Sequence, residues 1–396
     1  MTPLTKPALL GTVVDPQFGT TIRRITAVTP SGSNPAIKPL YTTIAAWNAD
    51  ESYLLLYDVQ GGNHRLHDGR TYQFIRNLDI DPADLEQVYW HTSDPDILYY
   101  VDNKTLIRYH VSTSVHEPVH TFSFCSGGAS GGSDPMFMSW DSNRIGLRCG
   151  AQVFIYDIAT DTITGQKALS QNPAQVAPSG TLAYLSDTGW VTDPALNNLR
   201  HLDLVEPWGH ASLGQLANGH DTWNGAVYDE GPGGNDDIGA LVTWDLTNAT
   251  SSVIIGPDTG YPYPPTSHIS AMAWDQPGWV FVSTLGDTSG AGLLDLEMLI
   301  ADTNTGTVCR IGRHRSWGKE NTHLEEPYWA EAHMVPSPSG TRAVFASDWG
   351  NGTTVDTYVV ELPSYSSGAT LSIDDATITE GTGGTTDAHF TVTLGN

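Results

Sequence analysis

The sequence predicts an all-β fold, a seven-bladed β-propeller followed by a short C-terminal fragment of a second β domain. Two observations carry this prediction, an internal repeat of about 45 to 60 residues and a composition suited to short strands. The 396 residues include 40 Gly, 24 Pro and 12 Trp. Gly and Pro favour turns, whereas Trp, Tyr, Val and Thr favour strands. No long stretch has apolar residues at helical spacing, so many short strands are expected.

Each repeat contains two apolar strands joined by a polar turn, and a further strand ending in a polar turn follows. The turns Ser179-Gly180, Pro277-Gly278 and Ser339-Gly340 suit tight hairpins. The seven predicted blades start near the following residues: Tyr41, Leu85, Asp134, Gln175, His210, His268 and Glu331.

The segment Arg23–Val28 precedes the first predicted blade. We expect it to complete the last sheet, which closes the ring and leaves no exposed strand edge. The segment Asn63–Arg70, which contains His64 and His67, is interpreted as the polar turn between the second and third strands of blade one. A surface position is therefore predicted for both histidines.

Two phrases of the repeat, Ala177–Asp187 (APSGTLAYLSD) and Pro336–Asp348 (PSPSGTRAVFASD), carry a family resemblance. They resemble the "SPDG" phrases of TolB-like propellers and of the oligogalacturonate lyases that share this repeat. The resemblance covers residues 20–363 and is more specific for fold than for function.

The C-terminal segment resembles the first strands of a Calx-β domain, whose pattern maps to Ile373, Asp375, Glu380 and Gly381. The predicted domains are therefore a propeller over 1–363, a linker over 364–368, and the truncated start of a Calx-β-like domain over 369–396. Calx-β modules recur in large secreted bacterial proteins and often bind calcium. The resemblance implies a longer parent protein that is secreted or held at the bacterial cell surface.

The charge balance limits the partners. With 44 acidic and 18 basic residues the net charge is −26, and a field of that sign repels nucleic acid. The simplest interpretation of this charge is a soluble surface, and calcium binding by some carboxylates is the alternative.

No run of about 18 apolar residues is present, so no membrane span is expected. We expect a monomer.

The three cysteines, Cys125, Cys149 and Cys309, are too few for a disulfide scaffold. Cys125 and Cys149 flank one hairpin-like segment and can pair, which would leave Cys309 free. Three buried thiols are the alternative, and the sequence leaves both interpretations open.

Histidines precede the predicted first strand of three late blades: His210, His268 and His333. Like positions in neighbouring blades converge near the axis. Imidazole is the commonest transition-metal ligand, and three protein ligands leave a position open for substrate. The alternative is that these histidines are polar plugs of the channel, hydrogen-bonded to backbone.

Oligogalacturonate lyases hold a manganese-like ion with histidines and a glutamine from successive blades. The resemblance implies that His210, His268 and His333 bind a divalent metal, either manganese-like or another transition metal, with calcium possible. No residue matches the family glutamine, so Glu331 or His323 would replace it. In the family, the ion binds the uronate carboxylate while a base removes the adjacent proton.

The candidate catalytic residues are Tyr228 and His220, as acid or base, and Arg313, as a clamp for a carboxylate. Arg313 belongs to the run Arg310–Lys319, which holds four of the 18 basic residues. Contact with an anionic sugar is one interpretation of this run. A solvated loop that offsets neighbouring acids is the other.

Two functions follow. The first is an extracellular, metal-assisted lyase acting on a uronate-containing poly- or oligosaccharide, with an anionic carbohydrate as its partner. The second is a non-catalytic propeller that binds a glycan or protein within a surface protein. Fold alone does not distinguish them.

Overall fold

A computed structural model describes residues 1–131, 137–168, 172–202, 210–226, 240–265, 267–362, 370–373 and 392–395. Within these residues the chain is all-β, and its helical segments are three short 3-10 turns at Pro257–Thr259, Gly318–Glu320 and Pro327–Ala330. The predicted fold class, a seven-bladed β-propeller, is confirmed by seven sheets that follow one another along the chain.

The first three blades are four-stranded sheets. Blade one is β3–β6, blade two is β7–β10 and blade three is β11–β14. In chain order the strands up to this point are β1 (Thr12–Val14), β2 (Thr21–Arg24), β3 (Ile37–Lys38), β4 (Tyr53–Asp58), β5 (Asn63–Asp68), β6 (Phe74–Asn77), β7 (Val88–Trp90), β8 (Ile97–Asp102), β9 (Thr105–His110), β10 (Val115–Thr121), β11 (Phe137–Met138), β12 (Arg144–Cys149), β13 (Gln152–Asp157) and β14 (Thr162–Ala168).

Blades four to six repeat this pattern as β15–β18, β19–β22 and β23–β26, and blade seven begins at β27. The strands are β15 (Gln175–Val176), β16 (Ala183–Leu185), β17 (Trp190–Thr192), β18 (Asn198–His201), β19 (Ala211–Gln215), β20 (Asp221–Ala226), β21 (Leu241–Asp245), β22 (Thr250–Ile255), β23 (Ser267–Ser270), β24 (Trp279–Thr284), β25 (Glu297–Asp302), β26 (Thr307–Arg313), β27 (Val335–Pro336), β28 (Arg342–Ser347) and β29 (Asp356–Glu361).

The last sheet closes the ring with strands from both ends of the propeller. Its order is β1-β2-β29-β28-β27, and β2 pairs with β29 so that Thr21 lies opposite Glu361. The prediction that an N-terminal segment completes this sheet is confirmed, although the strand is Thr21–Arg24 rather than Arg23–Val28. Pairing removes the edge that β29 would otherwise expose.

The core lies between blades, where apolar faces of neighbouring sheets meet. Large buried side chains such as Trp47, Trp90 and Trp223 pack there. Blades three and four approach closely at Gly146, where an added Cβ would lie 1.7 Å from the carbonyl oxygen of Ala174. Only glycine leaves room for that approach.

The structure corrects the interpretation of the segment around His64. Asn63–Asp68 forms strand β5, which pairs with β4 in unbroken register, and both His64 and His67 are buried. A turn at residues 69–71 follows this strand. The polar residues of this segment led to the prediction of a loop. In the structure the segment is a strand, which packing against the neighbouring blade buries.

Cys125 and Cys149 form a disulfide, and Cys309 is free and exposed. The pairing interpretation is therefore the correct one. The disulfide ties the loop after β10 to the end of β12, beside the β-bridge between Ser130 and Arg148.

The chain divides into two compact units, 1–361 and 362–396. In the second unit, β30 (Thr370–Ile373) pairs antiparallel with β31 (Val392–Gly395). Asp375, Glu380 and Gly381 of the Calx-β pattern lie outside the described residues, so that assignment stays a prediction. In the described part of the chain, no helix has the length and apolar character needed to cross a membrane.

Candidate metal centre

Two late blades and the loop between them bring three candidate ligands together. His268 is the second residue of β23, the first strand of blade six. Glu331 follows the 3-10 turn Pro327–Ala330, and His333 lies two residues before β27. His333 has a φ of 41°, a left-handed conformation that is uncommon outside glycine and is found at functional sites.

The geometry of these three residues suits a cation. Each contributes one ligand atom, and the three atoms all lie within 4.8 Å of one another. Oε2 of Glu331 lies 3.2 Å from Nε2 of His268 and 3.6 Å from Nε2 of His333. The two imidazole rings meet edge to face with their centroids 4.2 Å apart. We call His268, Glu331 and His333 the axial cluster.

Burial sets the charge state of the axial cluster. All three side chains are 1% exposed. Burial lowers the pKa of His268 and of His333 well below the usual imidazole value, because a charged ring loses its hydration. Burial also raises the pKa of Glu331. Neutral imidazoles are the form that binds metal.

The cluster contains buried polar atoms without a hydrogen-bond partner among the described residues. They are Nε2 of His333, which faces Glu331, Nδ1 of His268, which lies across the ring from the nitrogen nearest Glu331, and Oε1 of Glu331, whose nearest cation is the Lys319 ammonium at 3.5 Å. Such buried orphan atoms are rare and call for an explanation. Two imidazole nitrogens with one carboxylate oxygen form a ligand set suited to transition metals. The residues therefore fit a divalent metal, whose identity the ligand set leaves open.

Three further side chains surround the cluster, and none of them was predicted to be a metal ligand or a catalytic residue. Nζ of Lys38 lies 2.9 Å from Nδ1 of His333, and burial lowers the pKa of Lys38 to about 8. The Tyr41 ring contacts both histidines edge-on, with centroids 5.8 Å from His268 and 5.4 Å from His333. Tyr328 packs on His333 with centroids 5.0 Å apart. The predicted start of blade one near Tyr41 placed that residue near the axis, and the sequence placed Tyr328 in a loop near the histidines.

His210, predicted as a ligand, lies beside the cluster but outside the group of ligand atoms within 4.8 Å. Its ring stacks on that of His268 with the centroids 4.7 Å apart. It is half-buried, whereas His268 is buried. His210 is therefore positioned to contact a molecule bound at the cluster.

The other predicted site residues lie elsewhere. His323 is exposed in the loop before the Pro327–Ala330 turn, so Glu331 rather than His323 completes the cluster. His220 lies at the far end of the β19–β20 hairpin from His210, and its Nδ1 is 2.8 Å from Oδ2 of Asp245. Tyr228 is outside the described residues.

Most basic residues of the run Arg310–Lys319 form ion pairs with carboxylates of the propeller. Arg313 is buried, and its Nη2 lies 3.1 Å from Oε1 of Glu297, which also pairs with Arg310. Arg315 lies 3.6 Å from Asp15. These contacts offset buried carboxylates, as the second interpretation of the run predicted, but Arg313 and Arg315 are themselves buried and do not lie in a solvated loop. Lys319 differs, because it is 63% exposed and its Nζ lies 3.5 Å from Oε1 of Glu331.

No protein-family model and no curated protein sequence matches this chain. Solved structures do match its fold. An oligogalacturonate lyase in complex with manganese aligns with a TM-score of 0.64 and 16% identity, covering 91% of this chain and 97% of that one. An oligogalacturonate lyase from Vibrio parahaemolyticus aligns with a TM-score of 0.63 and 14% identity, covering 89% and 96%. At this identity the likeness shows the fold, and the chain is structurally similar to oligogalacturonate lyase-like propellers.

Proposed function

We propose that this protein is a metal-dependent lyase that cleaves a uronate-containing poly- or oligosaccharide at the axial cluster. The observation that carries the proposal is the buried set of His268, Glu331 and His333, whose ligand atoms converge within 4.8 Å. The structural similarity to an oligogalacturonate lyase in complex with manganese supports it.

His268, Glu331 and His333 would hold the divalent ion. When bound, the ion supplies positive charge next to the uronate carboxylate, which makes the proton on the adjacent carbon more acidic. Lys319 is the exposed cation at this site, so its ammonium group is placed to attract and orient the same carboxylate.

His210 is the candidate base. Imidazole is the commonest general base near neutral pH, and this ring is half-buried and stacked on His268. In the β-elimination, a nitrogen of His210 takes the proton from the carbon beside the carboxylate. That C–H electron pair forms the new carbon–carbon double bond as the bond to the leaving oxygen breaks. The leaving oxygen then takes a proton, and we assign its donor to the half-buried Tyr41, whose ring lies edge-on to His268 and His333.

Lys38 serves the site differently. Its side chain is buried, and its amino group is held between His333 and the backbone oxygen of Glu331, 3.3 Å away. A group so enclosed does not reach a substrate, so its role is to hold the turn that carries two of the three cluster residues.

The same proposal includes secretion. The disulfide between Cys125 and Cys149 is typical of oxidising compartments, and such bonds are rare in the cytosol. The net charge of −26 suits a soluble extracellular protein.

The test is a screen of uronate polymers, such as polygalacturonate and alginate, for unsaturated products by ultraviolet absorbance. The wild-type protein should form such products, and chelation should abolish them. Wild-type protein that binds a polymer without cleaving it, with or without added manganese, would replace the lyase with the non-catalytic glycan-binding propeller.

A further inference from the structure

The exposed lysine of the candidate metal centre stands on a short turn beside Glu331. Lys319 is the middle residue of the 3-10 turn Gly318–Glu320, in the connection from β26 to β27 that also carries Glu331 and His333. Its side chain is 63% exposed, and its Nζ lies 3.5 Å from Oε1 of Glu331, whose side chain is 1% exposed. A buried carboxylate of the axial cluster thus has a solvent-accessible ammonium group on one side.

The backbone that carries Lys319 is fixed in place. The N–H of Trp317 donates to Oδ1 of the buried Asp348 at 3.1 Å. Gly318 has a φ of 55°, and a Cβ added to it would lie 3.4 Å from Cγ of Glu331. The turn therefore packs directly against Glu331, and the Lys319 side chain extends from it towards solvent.

The two oxygens of Glu331 have different neighbours. Oε2 lies 3.2 Å from Nε2 of His268 and 3.6 Å from Nε2 of His333, whereas Oε1 is the oxygen that Lys319 approaches. Oε2 is therefore the oxygen that would bind an ion together with the two imidazoles, and Oε1 is the one that the ammonium group neutralises.

Two cations would share this one carboxylate. A divalent ion at Oε2 and the ammonium group at Oε1 carry charge of the same sign, so they repel each other across Glu331. This repulsion lowers the affinity for the ion. The carboxylate of a sugar has the opposite sign, so the ammonium group of Lys319 attracts it.

Lys38, the other lysine beside the cluster, cannot play the same part. Its side chain is buried, and its Nζ lies 2.9 Å from Nδ1 of His333. Lys319 differs from Lys38 because a ligand arriving from solvent can contact its ammonium group.

We propose that Lys319 balances metal binding against uronate binding: its ammonium group weakens the hold of the axial cluster on a divalent ion and strengthens the hold on a uronate carboxylate. The inference rests on the proposed function, since it takes the axial cluster as the metal site and a uronate as its ligand. By holding Oε1, Lys319 leaves Glu331 one oxygen for the ion, which keeps a coordination position for the substrate.

The test is calorimetric titration of the whole chain with Mn²⁺, in wild type and in Lys319→Met, which removes the charge and keeps an unbranched side chain. Lys319→Met should bind Mn²⁺ about fivefold more tightly, an effect kept modest by the exposure of the lysine. The difference should shrink as KCl rises from about 0.01 M to about 1 M, because salt screens exposed charges. Lys319→Arg keeps the charge and should bind Mn²⁺ like the wild type.

Galacturonate, a single uronate with no glycosidic bond to cleave, separates an electrostatic role from a structural one. With Mn²⁺ bound, Lys319→Met should bind galacturonate about fivefold more weakly than the wild type. Galactose, which lacks the carboxylate, should show no difference between the two proteins. A variant with a damaged turn would instead lose affinity for Mn²⁺ and galacturonate together. Lys104→Met removes a half-buried lysine of blade two and should change neither affinity.

The outcomes distinguish this inference from the function on which it rests. Unchanged or weaker Mn²⁺ binding by Lys319→Met, or equal galacturonate binding by the two proteins, would overturn the role of Lys319 and leave the metal centre in place. If the wild type bound no Mn²⁺, the metal centre of the proposed function and this inference would fail together.

Discussion

Nζ of Lys38 lies 2.9 Å from Nδ1 of His333, although 295 positions separate the two residues in the chain. Lys38 ends the first strand of blade one, and His333 lies two residues before the first strand of blade seven. The contact joins the first and last blades beside the candidate metal centre. The arrangement of that centre therefore depends on closure of the ring.

Removing one ligand should empty the axial cluster. We expect purified wild-type protein to hold nearly one equivalent of a transition metal, and His268→Ala to hold little, because two remaining ligands bind weakly. Elemental analysis measures both. His323→Ala is the matched control and should keep the metal, since His323 is exposed in the loop before the cluster. Metal retained by His268→Ala would exclude the cluster as its site.

Replacing the candidate base should separate catalysis from metal binding. In His210→Ala, kcat on a cleaved uronate polymer should fall by about a hundredfold or more, while elemental analysis shows an unchanged metal content. The reason is that His210 stacks on His268 but stays outside the ligand group. Joint loss of metal and activity would instead make His210 a ligand, as the sequence predicted.

The disulfide should contribute substantially to stability. Cys125 and Cys149 are 24 positions apart. Closing a loop of that size lowers the conformational entropy of the unfolded chain, which should raise the free energy of unfolding by about 3 kcal/mol. Urea unfolding of the Cys125→Ser/Cys149→Ser double variant should show that loss. Cys309→Ser, which changes the free exposed cysteine, should unfold like the wild type. A double variant as stable as wild type would mean that the bond adds nothing.

Blade packing should be sensitive at Gly146. A methyl group there would lie 1.7 Å from the backbone oxygen of Ala174, so Gly146→Ala must push blades three and four apart. We expect a loss of about 3 kcal/mol or more, which is large for one added methyl group. Gly127→Ala meets nothing within 4 Å and should unfold like wild type. If the two variants were equally stable, blades three and four would have to lie further apart than the structure shows.

Stability should fall as the pH decreases from about 6.5 towards 4. The buried His314 donates from Nε2 to the Thr284 carbonyl oxygen and accepts at Nδ1 from the Ser316 N–H. Burial lowers its pKa to about 4, whereas the unfolded chain takes up the proton at about 6.5. The unfolded state therefore binds more protons across this range, so the free energy of unfolding falls by up to about 3 kcal/mol.

Urea unfolding at several pH values measures this dependence. In His314→Asn the slope should be smaller, because the residue that titrates differently is gone while the side-chain oxygen can still accept from Ser316. His323→Asn, at an exposed position, should keep the wild-type slope. An unchanged slope in His314→Asn would show that other groups produce the acid sensitivity.

The repeat and the turn residues in the sequence were enough to predict the propeller architecture. The repeat placed blade starts near Gln175 and His268, where the strands β15 and β23 begin. Turn residues such as Ser339-Gly340 marked a real hairpin, because glycine takes the left-handed conformation that such a turn needs. The prediction of a loop around His64 was wrong, because a polar strand buried between blades has the same kind of residue composition as a loop.

The candidate site was predictable in part. His268 and His333 could be found because equivalent positions in successive blades meet at the axis. Lys38 could not be found, because nothing in its short strand indicates that a lysine is buried next to a histidine from the far end of the chain. The separation of His210 from the ligand group is a matter of a few ångströms, which repeat alignment does not resolve.

The sequence by itself determined the all-β class, the seven-fold repeat, the closing N-terminal strand and the residue types at the axis, because turn chemistry and strand periodicity act over neighbouring residues. Only the tertiary structure decided that Glu331 joins His268 and His333, that Cys125 and Cys149 pair, and that Arg313 belongs to an ion pair with Glu297. Contacts of this kind depend on how far each blade is rotated and shifted against the next. That placement results from packing summed over the whole ring.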